Sequence, residues 1–364
     1  MFNQVYDNKR VLVTGHTGFK GSWLTLWLLT LKANVAGYSA YLPSEPCMFE
    51  VLGLKDRMTN YVGDIRDHSS LKEVFSNFQP EIVFHLAAQP IVRKAYETPK
   101  TTFDTNVAGT VNVLECIRTS PCVKTAVIIT SDKCYQNREW NWGYRENDRL
   151  GGDDPYSASK ACAEIVCNAY IRSFFLNGDT TRISTTRAGN VIGGGDWAND
   201  RIIPDCVRSL SVQRDVLIRS LSAIRPWQHV LEPISGYLWL NACLYDNVEL
   251  HGEAFNFGPD QTVNKSVKEL IELFLFYWGE GSWVQSSSQT IKKENSFLKL
   301  SSDKSLSLLK WHSVLSFDDT VRLTVQWYKS YYGGKDDMFK LTNEQIESYI
   351  IMANQKNMSW ASRG

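Results

Sequence analysis

The stretch T-G-H-T-G-F-K-G, residues 14–21, lies between an apolar, β-branched run (VLVT, 11–14) and the helix-like segment SWLTLWLLTLK. Glycines at 15, 18 and 21 let a chain turn sharply from strand to helix, and they let backbone N–H groups approach a diphosphate at the positive helix end. Strand, turn and helix in that order open a doubly wound α/β fold. A glycine-rich turn can also serve packing alone. Its place after the first strand and before a helix is what favours a dinucleotide site.

The rest of the first half continues the alternation. Residues 34–38 (NVAGY) form a second strand, Asp67 reads as the N-cap of an amphipathic helix reaching about residue 78, and 82–88 is the next strand. A helix over about 101–118 follows, then VKTAVIIT (123–130), a strand of the kind buried on both faces of a parallel sheet. After Pro155 the apolar spacing is helical again, and 183–187 supplies another strand. Beyond that, GGGDW, RPWQHV and irregular loops break the alternation, as expected of a lobe that closes over a ligand. The expectation is α/β: a Rossmann-type doubly wound parallel sheet over 1–190, rejoined by parts of 225–260, with a smaller, mainly substrate-binding lobe over 191–364. Only the polar stretch 285–294 resembles a linker.

Charge narrows the partners. Lys plus Arg equals Asp plus Glu at 39 each, so no overall field recruits nucleic acid or an anionic membrane, and an anionic ligand must be held locally. Cysteines at 47, 116, 122, 134, 162, 167, 206 and 243 form no CxxC pair or regular framework, and they read as reduced thiols without a metal site. The N-terminal MFNQVYDNKR lacks an apolar signal core, and the apolar segment 23–31 is short and ends at Lys32, so a cytoplasmic protein is expected.

The strongest local chemical signal is Tyr156-Ser-Ala-Ser-Lys160, with Ser131 at the end of an earlier apolar strand. Residues four apart share a helix face, so Tyr156 and Lys160 point together. A phenol beside an ammonium is suited to take a hydroxyl proton as hydride leaves carbon. A YxxxK pair alone is an ordinary helix face. With the glycine loop and Ser131 it resembles the triad of the short-chain dehydrogenases.

Longer blocks carry a closer resemblance. GHTGFKGSWL (15–24), GDIRD (63–67), HLAAQP (85–90), TSDKCYQNREWNWGYREND (130–148), DPYSASK (154–160), RAGNVIGGGDWANDR (187–201) and IRPWQHVLEP (224–233) are similar to the CDP-glucose 4,6-dehydratases; later in the chain the resemblance rests on length and FNFGP (255–259). It implies oxidation at C4 of a CDP-linked glucose with NAD as hydride acceptor, elimination of water across C5 and C6, and return of the hydride to C6. Asp132 and Lys133 match the acid at the C6 hydroxyl and the base at C5. A lysine takes a proton only when neutral, which favours a protonated Asp132, and proton donation by Asp132 needs the same state. Thymidine-linked relatives carry Asp-Glu there.

The resemblance also implies that Gly15, Thr17, Gly18, Phe19, Lys20, Gly21, Asp64, Ile65, Leu86, Ala87, Ala88, Gln89, Asn106, Tyr156 and Lys160 line the cofactor. It places Gln89, Ser131, Asn190, Arg201, Arg225 and His229 at the substrate, Asn190 and Arg225 on its diphosphate. His85, and the tryptophans at 140, 142, 197 and 227, receive no role, and His85 alone would be a core histidine. The end of the second strand, GYSA (37–40), carries neither an acid for the ribose hydroxyls nor an arginine for a 2′-phosphate, so the fingerprint leaves NAD and NADP open and the resemblance favours NAD. Where the family usually has an acid, this chain has Tyr41. A homodimer or homotetramer packed through helices near 101–118 and 155–175 is implied as well. Three other readings stay open: a nucleotide-sugar 4-epimerase, which needs no C5 base or C6 acid, a 4,6-dehydratase acting on another nucleotide, and a non-catalytic dinucleotide-sensing protein.

Overall fold

The computed structural model describes residues 1–176, 181–218, 220–260, 263–285, 298–334 and 336–362; nearly all of the polar 285–294 stretch lies outside the described residues. Seven strands, β1 (Arg10–Thr14), β2 (Asn34–Ser39), β3 (Thr59–Val62), β4 (Ile82–His85), β5 (Thr125–Ile129), β6 (Arg182–Ala188) and β7 (Ala254–Phe257), form one parallel sheet in the order β7-β6-β5-β4-β1-β2-β3. The chain runs outward from β1 to β3 and then crosses back to β4, so the strand order reverses between β1 and β4. Ligands of such sheets bind in the crevice at the carboxyl ends of the strands at that reversal.

Side chains alternate across the sheet and divide its core in two. Val11, Val13, Phe84, Val127 and Ile129 face one layer, with helices α1 (Phe19–Thr30) and α6 (Leu231–Asp246). Leu12, Val83, Ala126 and Ile128 face the other, with α2 (His68–Phe78), α3 (Gly109–Arg118) and α4 (Pro155–Tyr170). Asp67 caps α2 by accepting from the Ser70 N–H at 3.1 Å. The helix predicted over 101–118 begins at Pro99 and widens into a π turn over Asp104–Ala108 before α3. That widening re-aims side chains, here Asn106, toward the loop after β4.

After β6 the chain adds α5 (Ile202–Leu210), α7 (Val267–Trp278) and α8 (Phe317–Gly333). Two short pairings stand apart from the main sheet: Val191–Ile192 lies parallel to Gln228–His229, and Ile224–Arg225 antiparallel to Lys265–Ser266. The GNV and RPWQHV blocks are thereby brought side by side. The final helix α9 (Met338–Gln355) returns to α1, where Trp27 meets Tyr349 and Trp360 edge-on and Phe2 stacks on Trp360. Among the described residues no helix is long and apolar enough to cross a membrane.

Candidate active site

The glycine loop sits at the strand reversal, and its glycines are required there. Gly15 has φ +77°, and a Cβ on it would lie 2.6 Å from the Ala87 nitrogen; a Cβ on Gly21 would lie 2.1 Å from the Gly15 carbonyl oxygen. The loop is therefore pressed against the turn after β4, where the Leu86 N–H donates to Thr14 and Gln89 receives support from Asn106. Gly18 caps α1 through its backbone alone, without a side-chain hydrogen bond. Such a cradle, open at a helix N-terminus and closed to any Cβ, fits a diphosphate.

Several neighbours are occupied with holding this cradle. His85 bonds Thr14 at 2.7 Å and Thr110 at 3.1 Å, and burial lowers its pKa to about 3. His16 bridges Ser39 and Asn60, and burial lowers it to about 4. The Thr17 hydroxyl donates to the Tyr41 carbonyl, while the Tyr41 side chain is exposed. Asp64 is held below the usual carboxylate range by its hydrogen bonds from Arg66, and Ile65 packs on Gly109. The Gln89 amide is spent on Thr102 and Ile91, and Asn106 reaches Ser159 of α4.

Ser131, Asp132, Lys133, Tyr156 and Lys160 converge beside the cradle. Ser131 follows β5 and caps the single turn Asp132–Cys134, accepting from the Lys133 N–H at 3.2 Å. Its hydroxyl donates to Asp132 at 2.9 Å, and it lies near enough to Tyr156 to lower the phenol's pKa against burial. Asp154 caps α4 by accepting from the Tyr156 and Ser157 N–H groups, which fixes where Tyr156 and Lys160 leave the helix. Burial pushes the Tyr156 phenol up to about 12, against the Ser131 hydrogen bond and the positive charge of Arg201. Burial lowers the Lys160 ammonium to about 8, with the Glu164 carboxylate opposing the shift. The Asp132 carboxyl is raised by burial, against the charges of Lys133 and Lys20 and the Ser131 hydrogen bond. Lys20 is itself lowered to about 8 by burial and by Arg201.

The residues expected at the substrate separate. Arg201 joins the cleft, paired with Asp196 at 2.8 Å. Asn190 lies at its edge, its carbonyl receiving the Gln228 N–H, and Arg225 donates to the Ile224 carbonyl in the adjacent short strand. His229 is fully buried, edge-on to Trp23 and lowered to about 3 by burial, so the structure does not bring it to the cleft. Trp197 and Trp227 are core residues bonded to Tyr332 and to the Lys265 carbonyl, whereas Trp140 is half-buried against Tyr144 and tilted onto the exposed Trp142.

Sequence reasoning missed Asp196, Glu164 and Arg187. Glu164 repeats the four-residue step from Lys160 along α4, a signal hidden by the apolar spacing around it, and its partner Arg187 comes from β6.

Comparison with known proteins places the chain in a family. The model of the GDP-mannose 4,6 dehydratase family matches residues 12–324. The CDP-glucose 4,6-dehydratase of Salmonella typhimurium is 46% identical over 350 residues, covering 95% of this chain and 97% of that protein. Among solved structures, DesIV, a dTDP-glucose 4,6-dehydratase from Streptomyces venezuelae with NAD bound, superposes with a TM-score of 0.77 at 24% identity, over 90% of this chain and 99% of that one. The epimerase Mth375 from Methanothermobacter thermautotrophicus superposes with a TM-score of 0.78 at 24% identity, over 91% and 95% of the two chains.

Proposed function

The chain belongs to the GDP-mannose 4,6-dehydratase family of nucleotide-sugar dehydratases, and from that premise we propose that it converts CDP-D-glucose to CDP-4-keto-6-deoxy-D-glucose. Bound NAD supplies the hydride acceptor at C4 and the donor at C6. The remaining chemistry falls to side chains. Tyr156, oriented by Ser131, takes the C4 hydroxyl proton, and Lys160 holds positive charge beside it. The 4-ketone acidifies the C5 hydrogen, which Lys133 removes while Asp132 donates a proton to the departing C6 hydroxyl; when hydride arrives at C6, Lys133 returns the proton to C5.

One observation carries the dehydratase reading. Asp132 is a buried carboxyl raised toward its protonated form and hydrogen-bonded to Ser131, the residue whose nearness lowers the Tyr156 phenol against burial. An acid within the oxidation triad is what elimination demands and epimerisation does not. The 46% identity to a CDP-glucose enzyme supports cytidine as the base. The crowded cradle, Lys20 and Arg201 support two diphosphate ligands, the cofactor and the substrate.

The second lobe should select the base through the paired 187–201 and 224–233 blocks. Turnover of CDP-, dTDP- and UDP-glucose side by side tests this: strong preference for CDP-glucose is expected, and equal turnover of dTDP-glucose would remove the substrate assignment while leaving the reaction. The protein is further proposed to act in the cytoplasm as a homodimer or homotetramer. Phe103, Ile165 and Phe174, large and exposed on the helices expected at the interface, support association. A monomer mass by light scattering would exclude it.

A further inference from the structure

Glu164 and Arg187 form a buried ion pair at 2.9 Å, with both side chains 4% exposed. The carboxylate accepts from Arg187 Nε at 3.0 Å, from Thr185 Oγ1 at 2.8 Å and from Thr130 Oγ1. Arg187 Nη1 donates to the Tyr135 hydroxyl at 2.6 Å and to the Glu146 carbonyl at 3.0 Å, and the guanidinium lies 4.8 Å from the Tyr135 ring centre. Tyr135 in turn donates to Asn256 of β7 at 2.9 Å.

The two ties fall at informative places. Thr130 immediately precedes Ser131, and Tyr135 immediately follows Cys134. The segment 131–134 is thus bound at both ends to one ion pair, and that pair is anchored on α4, the helix that carries Tyr156 and Lys160. A buried ion pair contributes little net stability, because desolvation of the two charges offsets their attraction. A fully bonded buried network does fix the relative geometry of the elements it joins.

We propose that Glu164 and Arg187 are positioning residues that hold the 131–134 segment in register with Tyr156 and Lys160. The inference rests on the catalytic reading of that segment given above. It has a second, electrostatic side. The Glu164 carboxylate sits one helical turn from the Lys160 ammonium and favours its charged form against burial. The other titratable groups that act with Lys160 are Cys134 from the segment, Cys167 on the same helix, Lys20 at the start of α1 and His85 at the end of β4, with Tyr156 on the shared face.

Glu164→Gln leaves Arg187 buried without its charge partner and risks unfolding, so the decisive variants cut the ties and spare the pair. Tyr135→Phe and Thr130→Val each remove one hydroxyl. In each, kcat with CDP-glucose should fall at least about tenfold with KM within about twofold, and amide hydrogen exchange across 132–135 should quicken at least about tenfold. Tyr349→Phe, which removes a comparably buried hydroxyl bond to Glu232, should change neither. Unchanged kcat and exchange in the two tie variants would overturn the proposal, and so would an equal loss in Tyr349→Phe. If the native enzyme does not turn over CDP-glucose, the functional reading fails, and the exchange measurement still decides the positioning. Where Glu164→Gln folds, the alkaline limb of its kcat–pH profile should move to lower pH by roughly one unit; a limb that stays in place contradicts the electrostatic side.

Discussion

Burial pushes the Tyr156 phenol up to about 12 against the positive charge of Arg201, so taking the C4 hydroxyl proton requires further positive charge, such as that of a bound oxidised nicotinamide, to bring the phenol down. Tyr156→Phe should therefore cost at least about a hundredfold in kcat with an unchanged unfolding temperature, because general acid–base groups contribute on that scale; near-native turnover would show another group at work. Lys133 acts one step later. With Lys133→Met and CDP-glucose in D2O, reduced cofactor should accumulate while C5 exchange and dehydration collapse, and rapid C5 deuteration would remove Lys133 from the mechanism. The triad was legible because Tyr156 and Lys160 share a helix face and Ser131 ends a strand, both local relations. Glu164–Arg187 was not, because its two charges lie on elements that meet only in the fold. His229 and Gln89 carry polar side chains that suggest a ligand, and nothing in the sequence says that one is buried behind Trp23 and the other consumed by Thr102 and Ile91.

Elements impose their own limits on substitution. Gly21 lies in the first turn of α1 against the Gly15 carbonyl, and an added methyl would meet that oxygen at 2.1 Å. Gly21→Ala should destabilise the protein by about 1–3 kcal/mol, the usual range for overpacking, and weaken NAD binding at least about tenfold. Gly333→Ala, at a helical position with nothing within 4 Å of the new Cβ, is the control and should be neutral. Calorimetric titration with NAD and thermal unfolding check both; equal affinities for the two variants would show that the loop does not cradle the cofactor. The strands β1, β2, β4, β5 and β6 and the capped helices were readable from apolar runs and from Asp67 and Pro155. Three-residue strands such as Val216–Ile218 were not, because so short a segment has no periodicity to detect.

The whole molecule is joined by contacts between distant parts of the chain, and Glu232 of α6 is one of them. It accepts from the Val314 and Leu315 N–H groups and from the Tyr349 hydroxyl of α9, and burial raises its pKa from 4.5 to about 7. A carboxyl raised on folding binds a proton that the unfolded chain releases, so its stabilisation is complete below pH 4.5 and is lost as the pH rises through about 7. Relative to the native protein, Glu232→Gln should gain stability over that window by up to about 3 kcal/mol, measured by urea unfolding at several pH values; a difference independent of pH would contradict it. The parallel sheet was legible at this scale because strand and helix alternate along the sequence. The return of Tyr349 and Trp360 onto Trp27 was not, since it depends on a long-range packing surface that no motif marks. The reaction itself is tested most directly by supplying CDP-glucose deuterated at C4 with NAD in ordinary water and analysing the product by mass and NMR. A 4-keto-6-deoxy sugar carrying that deuterium at C6 is the predicted result. A C4-epimerised hexose that retains its C6 oxygen, or recovery of unchanged CDP-glucose, would contradict it.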